Sequence, residues 1–233
     1  MSYIINSENL IVVGTSLANN DIANRRRENL FNEMNKYKIP VIFNYGIINE
    51  TNYEEAARMI FNNNMNMFKK TNFEYGIIID DDFHPHANFL EELNKTVELL
   101  PENWRSLHLC PGYLWGRAYR KATTAGDMDP EGDLTGLDYH ESGRFFINCK
   151  GSIWHDKHVI FLGGPIAILI NRKNVDSLLC NFDEVYKNHR EPSDRILTKT
   201  LGENDYICRN PQLGIEKEQG GTTFTYVPTP YHE

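Results

Sequence analysis

Residues Phe73–His86 read FEYGIIIDDDFHPH. The run Tyr75–Ile79 is short and continuously apolar, the pattern of a strand covered on both faces. It stops abruptly in Asp80, Asp81 and Asp82, with His84 and His86 close behind. Adjacent carboxylates repel one another and favour neither helix nor strand, so the chain must turn here and the charge must be compensated. A cation is one answer and a solvated acidic turn is the other.

Reading outward from this stretch shows its context. Upstream, LIVVG at Leu10–Gly14 and VIFNY at Val41–Tyr45 read as two further strands. Between them, Asn24–Tyr37 has Leu30, Met34 and Tyr37 on one helical face, and Tyr53–Lys69 carries Ala56, Ile60, Met67 and Phe68 in a second helical pattern. Downstream, Asn88–Leu100 places Phe89, Leu93, Val97 and Leu100 at helical spacing, Pro101 ends the helix, and SLHLC at Ser106–Cys110 is a fourth strand. The β-α-β-α-β-α-β order predicts an α/β fold, a Rossmann-type and mostly parallel sheet with helices on both faces.

The regularity then breaks. Pro111–Ser142 is rich in Gly, Asp and aromatics and reads as a functional loop. RFFIN at Arg144–Asn148, HVIFL at His158–Leu162 and IAILI at Ile166–Ile170 read as strands, followed by helices at Asn174–Lys187 and Ser193–Leu201. The C-terminal stretch from Asn210 reads as irregular and extended. No linker divides the chain, so residues 1–233 read as one domain, with a ligand-binding half over about 1–110 and a second half over about 111–233.

Composition narrows the function. With 32 acidic against 24 basic residues the net charge is −8, which disfavours a protein that lives by neutralising nucleic-acid phosphates. No apolar run approaches the ~18 residues of a membrane span. The four cysteines have no CxxC spacing and read as reduced thiols in a cytoplasmic setting. The Asn-rich cluster at Asn62–Asn66 reads as compositional bias.

In an open α/β sheet, ligands gather outside the carboxyl ends of the strands, and the aspartates lie at such an end. Alternation along an extended chain would put Asp80 and Asp82 on one side and Asp81 on the other. Paired carboxylates suit a hard divalent cation, which can bridge a diphosphate. Haloacid-dehalogenase phosphatases also place DxD after a strand, but after the first strand of the core with Thr or Val close behind. Here the motif follows the third strand and precedes Phe83-His84-Pro85.

Four stretches together resemble glycosyltransferases of the GT-A fold, and within them glycosyltransferase family 25, which includes lipooligosaccharide and collagen galactosyltransferases. They are Val12–Met34, a strand followed by a polar loop and an arginine; Phe73–Leu109, a strand, acidic motif, helix and strand; Gly163–Leu179; and Glu191–Gly214, a proline-x-aspartate helix followed by an aromatic strand. The sequence departs from the family in having Asp80 where Glu is usual, and the family's cysteine and serine-histidine signature after the second strand is absent.

The resemblance implies transfer of a sugar, galactose among the candidates, from a nucleotide-diphosphate sugar to a glycan or protein acceptor, with Mn2+ or Mg2+ on the diphosphate. It implies metal ligation by Asp82 and Asp80, with His232 of the tail as a further ligand, and donor contacts from Gly14, Thr15, Ser16, Arg27, Asp80, Asp81, Gly163 and Gly164. Asp194 is the expected base, with Glu191 in reserve. Tyr113, Trp115 and Trp154 are candidates for stacking on a sugar face, and His108 is a candidate ligand at a strand end. The rival readings are a metal-dependent phosphatase or nucleotidyltransferase, and a non-catalytic carbohydrate-binding protein. A cytoplasmic location is expected, host cytoplasm or virion if a virus encodes the chain.

Overall fold

Strand β1 (Leu10–Leu17) is followed by helix α1 (Asp21–Asn35), whose start is fixed by Asn20. The Asn20 side chain accepts from the Ala23 amide at 2.9 Å, and Asp21 adds a negative charge to the first turn. This cap is why the helix begins ahead of the expected Asn24. The computed structural model describes residues 4–18, 20–46, 53–110, 138–147, 149, 167–190 and 193–216.

The chain continues through β2 (Val41–Gly46), α2 (Tyr53–Lys69), β3 (Tyr75–Asp80), β4 (Phe83–Pro85), α3 (Phe89–Val97) and β5 (Ser106–His108). Then come β6 (Phe145–Phe146), β7 (Ala167–Asn171), α4 (Val175–His189), α5 (Ser193–Thr200), β8 (Asp205–Cys208) and β9 (Gly214–Glu216). A 3-10 turn at Arg172–Asn174 leads into α4.

Seven strands form one sheet in the order β2-β1-β3-β7-β5-β8-β6. β1 is parallel to β2 and β3, and β5 is parallel to β8; β7 runs antiparallel to both its neighbours, and β6 runs antiparallel to β8. The expected parallel α/β sheet is therefore present, with β7 inserted against the grain between β3 and β5. Its apolar run suits a slot covered on both faces, all five residues being buried, but such a run carries no information about direction. Strands from both expected halves of the chain enter this sheet. The expected RFFIN strand shortens to Phe145–Phe146, and HVIFL lies outside the described residues.

Side-chain alternation sorts the core into two layers. Leu10, Val12, Ile77, Ile79 and Leu169 pack with Leu30 and Met34 of α1 and Phe89, Leu93 and Val97 of α3. Ile11, Val13, Ile78, Ile168 and Ile170 pack with Phe61, Met65 and Phe68 of α2, Leu178 and Phe182 of α4, and Ile196 and Leu197 of α5. Each fully buried side chain of this size contributes about 1.5–3 kcal/mol. Right-handed crossovers explain why α1 and α2 oppose one another: the chain moves from β1 out to β2, then back past β1 to β3.

A small second sheet pairs β4 with β9, setting Glu216 opposite Phe83. It brings the segment after β8 alongside the acidic motif. Among the described residues no helix is long and apolar enough to cross a membrane.

Candidate active site

The chain leaves β1 toward β2 on one side and leaves β3 toward β5 on the other, so the carboxyl ends of β1 and β3 flank the point where the strand order reverses. That is the position at which α/β sheets collect ligands. Register fixes what stands there. Thr15 pairs with Asn44 and with Asp80, and Ser16 pairs with Tyr45.

On the α1 face, Ser16 Oγ donates a short hydrogen bond to Asp81 Oδ2. Arg26 Nη1 lies 3.7 Å from Asp81 Oδ1 and 3.4 Å from Asp82 Oδ2, with side-chain exposures of 6%, 8% and 15% for the three residues. Arg27 Nη1 donates to Ser16 Oγ at 2.7 Å and to the Leu17 carbonyl at 2.5 Å, and its Nη2 donates to Asn24. Its guanidinium also lies over the Tyr45 ring, 5.2 Å from the centroid. Ser16 thus uses its proton on Asp81 and a lone pair on Arg27. Two guanidinium groups, one hydroxyl and two carboxylates form one continuous network.

The expected side-by-side arrangement of Asp80 and Asp82 is not what the chain adopts. β3 stops at Asp80 and the chain turns at Asp81 and Asp82, so alternation no longer applies and it is Asp81 and Asp82 that converge on Arg26. Burial pushes the Asp81 carboxyl above its usual range, opposed by the Ser16 hydrogen bond and by Arg26 and Arg27. The network holds a carboxylate where the low-dielectric surroundings disfavour one.

The opposite face is amide-rich. Asn64 of α2 is buried and donates to Thr15 Oγ1 at 2.7 Å, while its carbonyl oxygen has no partner among the described residues. Neighbouring Asn62 donates to Asp183 at 3.1 Å. Asp80 is half-buried at the end of β3, abreast of Thr15.

The other expected site residues fall in different places. Gly14 is a packing glycine: a Cβ there would lie 2.7 Å from the ring of Phe43, its register partner, so its lack of a side chain is explained within the sheet. His86 Nδ1 accepts from the Asn88 amide at 3.1 Å and shapes the entry to α3. His84 sits in β4 opposite Ile215.

His108 ends β5 but is buried at 6% exposure, between Ile168 and Ile207 in register. Burial lowers its pKa to about 4, Asp205 pulling the other way and Arg105 adding to the fall. Asp194 stands in the first turn of α5. Arg105, just before β5, donates to the Thr200 carbonyl at the far end of that helix, so the Asp194 end points toward the carboxyl ends of the strands. Gly163, Gly164, Glu191, His232, Tyr113, Trp115 and Trp154 lie outside the described residues.

One residue here has no counterpart in the sequence reading, Asn64, and a second, Arg26, stands in the run Arg25–Arg27, of which the family resemblance favours Arg27. Arg26 joins Ala23, Leu30 and Met34 as the buried residues of α1, and helical spacing run backward from Leu30 reaches it. Asn64 lies between Phe61 and Phe68 on the buried face of α2, a signal hidden by the surrounding asparagines.

A divalent cation does not fit the carboxylates as they stand. Asp81 is engaged by Ser16 and Arg26, Asp82 faces Arg26, and among the described residues no three His, Cys, Asp or Glu side chains gather to hold a metal. No protein family and no curated protein matches the chain. Among solved structures it is similar to a glycosyltransferase involved in the glycosylation of the major capsid of PBCV-1, with TM-score 0.46 and 8% identity over 85% of this chain and 80% of that one. A likeness of that size bears on neither fold nor chemistry, both of which rest on the chain's own residues.

Proposed function

We propose that the chain is a glycosyltransferase that takes a sugar from a nucleoside-diphosphate donor and passes it to a hydroxyl acceptor. The supporting observation is the placement of Arg26 and Arg27, tied together through Ser16 and Asp81, at the ends of β1 and β3. Breaking the bond between the anomeric carbon and the β-phosphate oxygen leaves negative charge on the diphosphate, and positive groups held in place beforehand stabilise that charge as it develops. Arg27 presents a planar guanidinium suited to two-pronged contact with phosphate, and Tyr45 beneath it gives that cation a flat apolar floor.

The new bond forms between the acceptor oxygen and the anomeric carbon, and the acceptor proton passes to a base. Asp194 is the proposed base, with Glu191 in reserve and an inverting outcome. Thr15 and Asp80, abreast at the strand ends, are proposed to meet donor hydroxyl groups. No step is assigned to Mn2+ or Mg2+, because Asp81 and Asp82 are turned onto Arg26.

A thermal-shift panel of uridine, guanosine, cytidine and adenosine diphosphates, with and without Mn2+, tests the proposal. One nucleotide is expected to raise the melting temperature of the wild-type chain, by an amount that grows with its concentration, and Arg27→Met is expected to weaken that rise. If none of the four moves the wild-type transition under either condition, the proposal fails.

A further inference from the structure

We propose that Arg26 is a resident cation of the acidic motif, and that a divalent cation gains Asp81 and Asp82 only by displacing its guanidinium. The inference deepens the reading of this site as one that binds a diphosphate, but its test needs no nucleotide.

Three observations carry it. Arg26 is held in position by its own helix: with Ala23, Leu30 and Met34 it forms the buried stripe of α1, so the side chain enters the core edge. Its Nη1 stands between the two carboxylates, 3.7 Å from Asp81 and 3.4 Å from Asp82. Asp81 is anchored from the other side by Ser16, which Arg27 holds in turn.

A hard divalent cation needs carboxylate oxygens at roughly 2.0–2.6 Å, and the space between these two is filled by the guanidinium. A cation placed beside an Arg26 that stayed would meet a like charge at close range in a low-dielectric setting. Occupation and displacement are therefore one event. In the proposed transferase, the diphosphate then has a protein cation waiting for it, and added metal competes with that cation for the same carboxylates.

The test is a Mn2+ titration of the full chain, read by the electron paramagnetic resonance signal of free Mn2+. Arg26→Met is expected to bind Mn2+ at least about tenfold more tightly than wild type; equal or weaker binding overturns the proposal. Should Arg26→Met fail to fold, Arg26→Lys decides. It keeps the charge but not the reach of the guanidinium, and is expected to bind Mn2+ more tightly than wild type, whereas unchanged affinity overturns the proposal.

In the wild-type chain, mass-spectrometric mapping of phenylglyoxal labelling is expected to find Arg26 protected, and to find it labelled faster once Mn2+ is bound. Bound Mn2+ that leaves Arg26 protected contradicts displacement. Failure of the glycosyltransferase reading shows separately, as absence of any nucleotide response.

Discussion

Replacing His108 by Gln turns the burial of this imidazole into a measurable dependence of stability on pH. His108 closes β5 between Ile168 and Ile207, and its nearest acidic influence, Asp205, is already committed to Arg105, Ser106 and the Gly202 amide. The ring therefore stays neutral in the folded chain, with its pKa lowered from 6.5 to about 4. A depressed histidine supports the fold fully above the unfolded pKa and loses that support as pH falls toward the folded value.

At pH 4 the unfolded chain is almost fully protonated at this site and the folded chain half so. With about 1.4 kcal/mol for each pH unit, wild type should lose about 3 kcal/mol relative to His108→Gln between pH 7 and pH 4. Urea unfolding followed by tryptophan fluorescence reads this, Trp104 being buried beside Tyr75. Both proteins lose stability in acid through their carboxylates, so the difference between them is the quantity to compare. A difference that stays flat with pH would mean that His108 finds a partner for its charge, and would refute the reasoning.

Two further outcomes are expected. Gly76→Ala sets a Cβ 2.7 Å from the ring of buried Phe68 and should cost about 1–3 kcal/mol by overpacking in urea unfolding, part of which returns in the Phe68→Leu background; an additive double mutant would contradict the contact. Arg105→Met strips the buried Asp205 carboxylate of its cation and should cost about 3 kcal/mol, recovered in good part when Asp205→Asn is added. Losses that simply sum would show that the pair does not act as a unit.

The strand that ends in aspartates was legible because an unbroken apolar run followed by like charges leaves little freedom. The helices were legible from the spacing of Leu30 and Met34 or of Phe89, Leu93 and Val97, which the core repeats in space. The direction of β7 was not, since a strand buried on both faces reads the same either way. The β4–β9 pair escaped because it joins two three-residue segments far apart in sequence, and such pairing leaves no local pattern. In the candidate site, the position of the acidic motif and of Ser16 at strand ends was legible. Arg26 stands second to Arg27 in the sequence because the family resemblance favours Arg27 and position in the run Arg25–Arg27 separates none of the three, although helical spacing one turn before Leu30 lands on Arg26.

The most direct measurement is the release of nucleoside diphosphate from a panel of nucleotide sugars by the wild-type chain and by Asp81→Asn, followed by mass spectrometry of both products. Asp81 anchors Ser16 and Arg26 without being the proposed base, so the network should fail as a positioning unit when its charge is removed. The account predicts that one donor is consumed by wild type, that Asp81→Asn consumes it at least about tenfold more slowly, and that its nucleotide affinity falls in step. Donor turnover that Asp81→Asn leaves untouched, or no turnover of any donor by the wild-type chain, would contradict a diphosphate site at the ends of β1 and β3.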